Sequence, residues 1–530
     1  MLLELIYRNL AAILVFFTMA GVTWIHGGAR PEWLYSTLPW LMAFTLEGLL
    51  FFPQKRSYED AVQARERVWR DLRRDPLLYL TLAFILLLIV PVFNRGLCPN
   101  CDYRAIAAGA DPKPVPFLPF CVNVADHVKV MTWFVPAFLT ALAVRHALTR
   151  EGKRVFFEMV VWNGVALAVL GFIEQATGAT YVFWEKQDHP AYFFSVFGYP
   201  NAAGAFFTMM FAFSIGLWRY HAKETEFIEE ASAGRRTVGQ SSYWLQAHYP
   251  LVAVVLTLFA VLYTRSRAAI LLTTSLAVLA SVYVLFEIIG ASFTQMSASM
   301  ARTRKLKTVV VSIGGMVILG IFVAVFAPPD ISAEMKTADI TAIADRVTGK
   351  TEWHTDAAIA LFKEYPIFGM GGWGYKHLNR PYVPSNVSRD FGKWYSRGAA
   401  NVHNDYLQFL CEHGAVGLLL LLAMVVMLVW PVSTVWMSLY KATRFLRGDR
   451  TPKPKAIFVL PAAAFWILAG NICLVIHAFG DCPMRCAAVL TTFFATLPAT
   501  EGFIPHRNEI VFDSDAAATA ENSHEHHKHH

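Results

Sequence analysis

Apolar stretches of about 20 residues, the length that crosses a ~30 Å hydrocarbon core as a helix, recur along the whole of this 530-residue chain. They fall near residues 6–26, 33–53, 77–94, 130–147, 155–175, 197–218, 249–264, 268–290, 308–328, 406–438, 457–477 and 484–500. Lipid offers no partner to backbone N–H and C=O groups, so such segments must satisfy their own as helices. Composition agrees, with 55% of residues hydrophobic and 16% charged, where soluble domains carry about a quarter charged. The expected fold is an all-α polytopic membrane protein with about twelve transmembrane helices.

The charges between these segments predict their orientation, because Lys and Arg in short loops stay cytoplasmic. QKRSYEDAVQARERVWRDLRRDP, TREGKR, RYHAKETEFIEEASAGRR, SASMARTRKLK and YKATRFLRGDRTPKPK alternate along the chain with loops poor in Lys and Arg. Both termini are therefore expected in the cytoplasm, and the longest loop, about 329–403, on the exofacial side. The same asymmetry, with contact to anionic lipid, accounts for a formal charge of +7 without a nucleic-acid partner. The opening residues MLLELIYRNLAAILVFF lack a basic stretch followed by a small-residue cleavage site, so an uncleaved first helix is expected. Residues 1–190 read as N-terminal transmembrane helices with an exofacial Cys-containing loop, 441–500 as C-terminal transmembrane helices, and 501–530 as a solvated cytoplasmic tail ending NSHEHHKHH.

Cys98, Cys101, Cys121, Cys482 and Cys486 all fall on or near the expected exofacial side, where an oxidising compartment permits disulfides. A C-x-x-C pair also suits zinc or redox chemistry. Zinc wants four ligands, however, and this loop supplies three cysteines with only an Asp or His127 to complete the set. A structural disulfide among the five is the expectation, with its pairing open. Cys411 and Cys473 lie within predicted helices.

Charge at the edge of a membrane segment is costly and marks function by default, and two clusters stand out. In YTRSRAAILL, Arg265 and Arg267 occupy a tight exofacial hairpin. They are suited either to holding an anion or to snorkelling toward lipid headgroups. The second cluster runs through the long loop into the next helix. TEWHTDAAIALFKEY has apolar residues at helical spacing and reads as an amphipathic helix at the interface. PIFGMGGWG is a Pro/Gly turn that permits close backbone approach to a ligand. In NVHNDYLQFLCEHGAVGLLLLL, His403 stands at the water boundary, and Asn404 or Asp405 can cap a helix start that favours anions. Asn201, after Pro200, is either a cap or a site-lining group.

These stretches carry a resemblance. HNDYLQFLCEHGAVG resembles the signature of the O-antigen ligase superfamily, and FGYPNAAGAFF, TRSRAAILL and PIFGMGGWGY resemble, in order, its Asn-containing helix start, its Ser-Arg hairpin and its Pro/Gly turn. The similarity spans roughly 190–430, making 191–440 a ligase-like catalytic core. It implies a GT-C-like membrane glycosyltransferase that moves a glycan from an undecaprenyl diphosphate carrier to an acceptor hydroxyl at the periplasmic face of the bacterial inner membrane, metal-independent and inverting. By the same resemblance His403 is the catalytic base, and Arg267 and Arg346 engage the donor diphosphate. Family members place a tryptophan a few residues after the second arginine, whereas RVTGKTEW sets Trp353 farther away, so Arg265 stands as the alternative to Arg346. Asn404, Asn201 and Tyr406 are expected in support.

The chemistry of the residues agrees. Negative charge grows on the leaving diphosphate as the sugar–phosphate bond breaks, and arginine grips phosphate oxygens in two places without titrating. No paired acidic motif suited to Mg²⁺ is evident, so no cofactor or metal is expected. A neutral histidine can take the acceptor's proton. Glu412 lies nine residues beyond His403, too far along a helix for contact, and reads as a partner for a buried neighbour. Gly414 and Gly417 read as a small-residue face for helix packing.

The superfamily includes O-antigen ligation to the lipid A core in lipopolysaccharide assembly, polymerisation of lipid-linked repeat units, and transfer to Ser or Thr of a protein. Ligation is the leading expectation, on motif layout. From another class, a secondary transporter could use Arg265 and Arg267 to hold a small anion. Its usual inverted repeat and midplane charges are not evident here.

Overall fold

The computed structural model describes residues 2–25, 27, 31–96, 113–183, 185–186, 193–232, 247–290, 353–383, 400–446 and 460–505. The predicted span 308–328, Arg346, Cys98, Cys101, parts of the long loop and the tail beyond 505 lie outside them. In chain order the helices are α1 Leu2–Arg8, α2 Leu10–Trp24, α3 Pro31–Leu50, α4 Ala61–Arg74, α5 Pro76–Phe93, α6 Val124–His146 and α7 Arg150–Thr177. Then come α8 Pro200–Ser232, α9 Leu251–Tyr263, α10 Arg267–Gly290, α11 Trp353–Glu364, α12 Gly374–Leu378, α13 Asp405–Leu446, α14 Ala462–Gly480 and α15 Ala487–Ala499. Strands β1 (Tyr181–Val182) and β2 (Glu185–Lys186) form one small antiparallel hairpin.

Seven described helices are long and apolar enough to cross a membrane: α5, α6, α7, α8 over Pro200–Thr225, α10 over Arg267–Val284, α13 over Asp405–Tyr440, and α14. Two shorter apolar helices, α2 and α9, accompany them. The chain is thus an all-α multi-pass membrane protein. Helix starts follow local chemistry. Asp60 makes a capping box with Gln63 at the head of α4, Asp75 caps α5 with Pro76 behind it, and Thr149 caps α7, each satisfying N–H groups that the helix leaves unpaired.

Helices from the beginning and end of the chain share one core. Phe138 of α6 meets Phe84 of α5 edge-on at 5.2 Å and Phe494 of α15 at 4.9 Å. At one end of the bundle, ion pairs join Arg67 to Glu59 (3.0 Å) and Arg145 to Asp75 (2.6 Å), and link Arg8 to Glu151 and Lys153 to Glu501. Helix α7 starts there and runs roughly 40 Å, at ~1.5 Å per residue, to the opposite end, where Gln175 donates to the Phe193 carbonyl. His403 lies at that opposite end.

The long helix α13 is broken at Gly414, whose φ of 65° and ψ of −173° are non-helical. The break frees backbone groups, and the Pro/Gly loop takes them up. Met370 and Gly371 N–H donate to the carbonyls of Cys411 and Glu412 (3.2 and 2.8 Å), while Ala415 and Val416 N–H donate to Pro366 and Ile367 (2.9 and 3.1 Å). Irregular backbone at membrane depth is tolerated where protein satisfies it in this way. A Cβ at Gly414 would sit 2.2 Å from the Ile367 carbonyl oxygen, and one at Gly369 (φ +70°) would sit 2.3 Å from the Glu412 backbone. In PIFGMGGWG, Gly369 thus approaches α13, Gly371 the Phe120–Cys121 segment and Gly372 α6. Gly414 is a break and not part of a straight packing face. Gly417 does serve packing, since its Cβ would lie 3.3 Å from Leu87 of α5.

Gly414→Ala is expected to lower the detergent melting temperature more than Gly178→Ala. Gly178 also has positive φ (+63°), but with open space around it. The backbone conformation alone costs about 1–3 kcal/mol at such a position, and the excess at Gly414 measures the clash with the loop. Equal losses would show that the loop contact is slack.

Candidate active site

One buried carboxylate collects the polar groups at the His403 end. Asp481 follows the last residue of α14 in extended conformation and is 5% exposed. The Tyr199 hydroxyl lies 2.7 Å from each of its oxygens, Cys482 N–H donates to Oδ1 at 2.7 Å, and the Asn201 amide donates to Oδ2. His403 Nδ1 lies 3.2 Å from Oδ1. Burial by itself would raise the Asp481 pKa. The hydrogen bond and charge of His403, with the Tyr199 and Cys482 donors, outweigh it and hold the carboxyl at about 2. Burial and then nearby negative charge push the Tyr199 hydroxyl up, so it remains a donor.

An ionised partner at Nδ1 fixes the imidazole with its proton on that nitrogen and leaves Nε2 as the acceptor. The His403 side chain is 47% exposed. Its backbone is held at φ 58°, an uncommon conformation for a residue with a Cβ. His354 of α11 meets the His403 ring edge-on at 5.9 Å. Burial, then the charge of His403, lowers His354 to about 4, which keeps it neutral near pH 7. Two cavities meet at His403 and Tyr199. One, ≈ 270 Å³, is lined also by Asn201, Thr355, Asn404 and Asp481. The other, ≈ 210 Å³, is lined also by Phe197, Trp373, Asn401 and Arg485.

The Arg265/Arg267 hairpin is tied to the same carboxylate. Ser266 Oγ donates to Asn201 Oδ1 at 2.6 Å and accepts the Ala269 N–H at 3.3 Å, capping α10. Asn201 in turn donates to Asp481. The close approach requires Gly204 on α8, where a Cβ would lie 2.6 Å from Ser266. Arg267 is the first residue of α10 and exposed, and Arg265 is partly buried at φ 59°. Asn201 is therefore a bridge and not a helix cap.

Asn404 settles its alternative as the cap of α13, accepting the Tyr406 and Leu407 N–H groups at 3.1 Å each. Asp405, buried, accepts the Met484 N–H at 2.8 Å, and its own N–H donates to the Asp481 carbonyl. Tyr406 supports the site at a distance, donating to the Val475 carbonyl at 2.6 Å and so docking α13 on α14. Glu412 is a buried partner as expected, and the neighbour is Arg485 at 2.9 Å. The predicted amphipathic helix is present as α11, but its apolar face, Ala357, Ala358 and Leu361, packs into a small core with Met370, Tyr375, Val402 and Cys411.

The disulfide expectation changes for three of its five cysteines. Cys121, Cys482 and Cys486 are free and buried, with their thiols directed to the Pro91 carbonyl, the Asp481 carboxylate and the Gly27 carbonyl. Cys98 and Cys101 lie outside the described residues. His127 is no zinc ligand, because Gly372 N–H donates to its Nδ1 at 2.7 Å and its Nε2 contacts the Leu88 carbonyl at 2.7 Å. Among the described residues the donor atoms of His403, Asp481 and Cys482 lie within 4.8 Å of one another. The set suits a metal poorly. The Asp481 oxygens already accept several hydrogen bonds, and burial, with the Asp481 charge, pushes the Cys482 thiol up, away from the thiolate a metal needs.

Asp481, Tyr199, Trp373 and Arg485 were not singled out from the sequence. The available signal was a lone Asp and a lone Arg in GDCPMRC, at the edge of an apolar span.

Helices, broken span and a histidine–carboxylate pair at one end define a multi-pass membrane protein with the layout of an enzyme site. Residues 252–422 match the O-antigen ligase family model. The chain thus carries a segment of the O-antigen ligase superfamily, and this match supports, in broad class, a membrane glycosyltransferase of the O-antigen ligase/polymerase type. No curated protein matches the chain. Arg265, Arg267 and His403 fall inside the matched segment, and Tyr199, Asn201, Asp481 and Arg485 fall outside it.

A carboxyl at 3.8 in the unfolded chain and about 2 when folded stabilises the protein fully above the unfolded value and loses that contribution as pH falls toward the folded one. Melting temperature measured between pH 4 and pH 2 is expected to fall more steeply for wild type than for Asp481→Asn. Parallel curves would mean that Asp481 is not held as the ionised hub.

Proposed function

We propose that the protein transfers a glycan from undecaprenyl diphosphate to an acceptor hydroxyl at the periplasmic face of the bacterial inner membrane, with the lipid A core as leading acceptor. The observation that carries the reading is His403, half-exposed and backed at Nδ1 by Asp481. Nε2 takes the proton of the acceptor hydroxyl as that oxygen attacks the anomeric carbon, and Asp481 stabilises the imidazolium that forms. The bond from the anomeric carbon to the diphosphate oxygen breaks with inversion, and the electron pair leaves on undecaprenyl diphosphate. Arg267, with Arg265 or Arg346, receives that growing negative charge. The hairpin carrying two of these arginines hangs from Asn201 on the carboxylate that orients the base, so base and leaving-group clamp share one support.

Both termini are placed in the cytoplasm in this reading. Arg8 and Glu501 lying together at the end opposite His403 fits that arrangement. Chemistry follows from the protein's own side chains, without a metal.

Transfer by purified protein is to be measured with lipid A core, a second lipid-linked glycan and a Ser/Thr-rich polypeptide as acceptors. Product is expected on lipid A core, reduced at least about 10²–10⁴-fold in His403→Ala, the scale of a lost general base. Product on a lipid-linked glycan would indicate a polymerase, and product on the polypeptide a protein O-oligosaccharyltransferase. No product on any acceptor, with folding and donor verified, would remove the proposal and turn attention to anion flux and the transporter.

Arg267→Lys is expected to lower transfer strongly because an ammonium cannot reproduce the planar fork. An unchanged rate would make Arg267 a lipid anchor. Transfer is expected to persist in excess EDTA, and loss with recovery on adding Mg²⁺ would overturn the metal-free mechanism.

A further inference from the structure

Arg485 belongs to the short turn Pro483–Arg485 between α14 and α15. Its Nη2 is engaged by Glu412 at 2.9 and 3.3 Å, and its guanidinium carbon lies 5.5 Å from the Trp133 ring centre and 5.8 Å from that of Trp373. Two indoles and a carboxylate thus hold the group rigidly. Its Nε is nevertheless buried without a hydrogen-bond partner, and so is the Nε1 of Trp373. Both side chains line the ≈ 210 Å³ cavity that His403 also lines. Buried donors normally find acceptors, and these two unsatisfied donors belong to side chains that line one cavity.

The position of Trp373 is built and not incidental. Its backbone stands at φ 56°, strain that surrounding contacts must hold in place. Behind it, Gly372 N–H is fixed by His127. Lys376 and Lys129 lie 4.8 and 5.3 Å from its ring centre. The nearby acids are committed: Glu412 to Arg485, Asp405 to the Met484 N–H, Asp126 to Lys376, Lys129 and His377, and Asp481 to Tyr199, Asn201 and His403. The donors left over favour an anion.

We infer that Arg485 and Trp373 form an oxyanion-binding subsite beside His403, which takes a phosphate or carboxylate group of one of the two substrates. Guanidinium and indole N–H supply the hydrogen bonds, and the indole face gives a flat apolar wall for an adjoining sugar ring. The assignment to a substrate rests on the transferase reading, whereas binding of an anion does not.

Full-length protein in detergent is titrated calorimetrically with inorganic pyrophosphate and with glucuronate. Arg485→Gln, Trp373→Phe and the double variant Arg485→Gln/Glu412→Gln are compared with wild type. Trp373→Phe keeps an aromatic wall but removes the N–H donor together with the five-membered ring. The double variant removes the ion pair without leaving Glu412 charged and alone. Affinity for at least one probe is expected to fall about tenfold or more in each. If Arg485 served only to neutralise Glu412, the double variant would bind normally, and that result overturns the inference, as does unchanged affinity in Trp373→Phe. In the transfer assay, a raised KM for the lipid-linked donor assigns the anion to the donor, and a raised KM for the acceptor assigns it to the acceptor. Failure of transfer in wild type with these affinity losses intact would remove the proposed reaction and leave the subsite standing.

Discussion

A carboxylate buried at the edge of an apolar span has to be surrounded by donors, because an unpaired charge there is too costly to keep. Asp481 meets that demand by drawing in Tyr199 and Asn201 from the start of α8, its own following N–H, and His403 from the segment leading into α13. Segments far apart in sequence converge on it, and Ser266 adds the α9–α10 hairpin through Asn201. The orientation of the imidazole and the placement of the arginine-bearing turn are consequences of solvating one charge.

The second constraint is the break in α13. A helix that stops at Gly414 exposes carbonyls and N–H groups that lipid cannot satisfy, and the loop at 366–371 supplies the missing partners. That pairing places Trp373 and α12 over the start of α6, where Asp126 and His127 hold them. The same loop that repairs the helix thus forms one wall of the cavity beside His403. Buried glycines are needed on both sides of the contact, which explains why Gly369, Gly371 and Gly414 all adopt positive φ.

Periodic and local features were legible in the sequence. Apolar runs mark the long helices, TEWHTDAAIALFKEY marks α11 within a residue or two, and Asn404 at the head of a leucine-rich run is a cap recognisable by residue type. Glu412 could be read as a buried partner, but its mate could not be named, since Arg485 is 73 residues away. Asp481 was missed for the same reason: a single Asp after an apolar run carries no spacing that reveals which histidine it will face. The glycine turn was recognised as a site of close approach, yet only the fold shows that the approaching backbone is α13. Tertiary context also decided the thiols, which are spent on carbonyl and carboxylate contacts at Cys121, Cys482 and Cys486.

The proposed chemistry requires His403 and Asp481 to act as one unit. The most direct measurement is a double-mutant cycle on the transfer rate with His403→Ala, Asp481→Asn and the two combined, each checked for folding. If Asp481 works by orienting and stabilising the histidine, its loss has no further effect once the imidazole is gone, and the double variant transfers at the rate of His403→Ala alone. If the two losses multiply, Asp481 contributes independently of His403 and the oriented-base mechanism is contradicted.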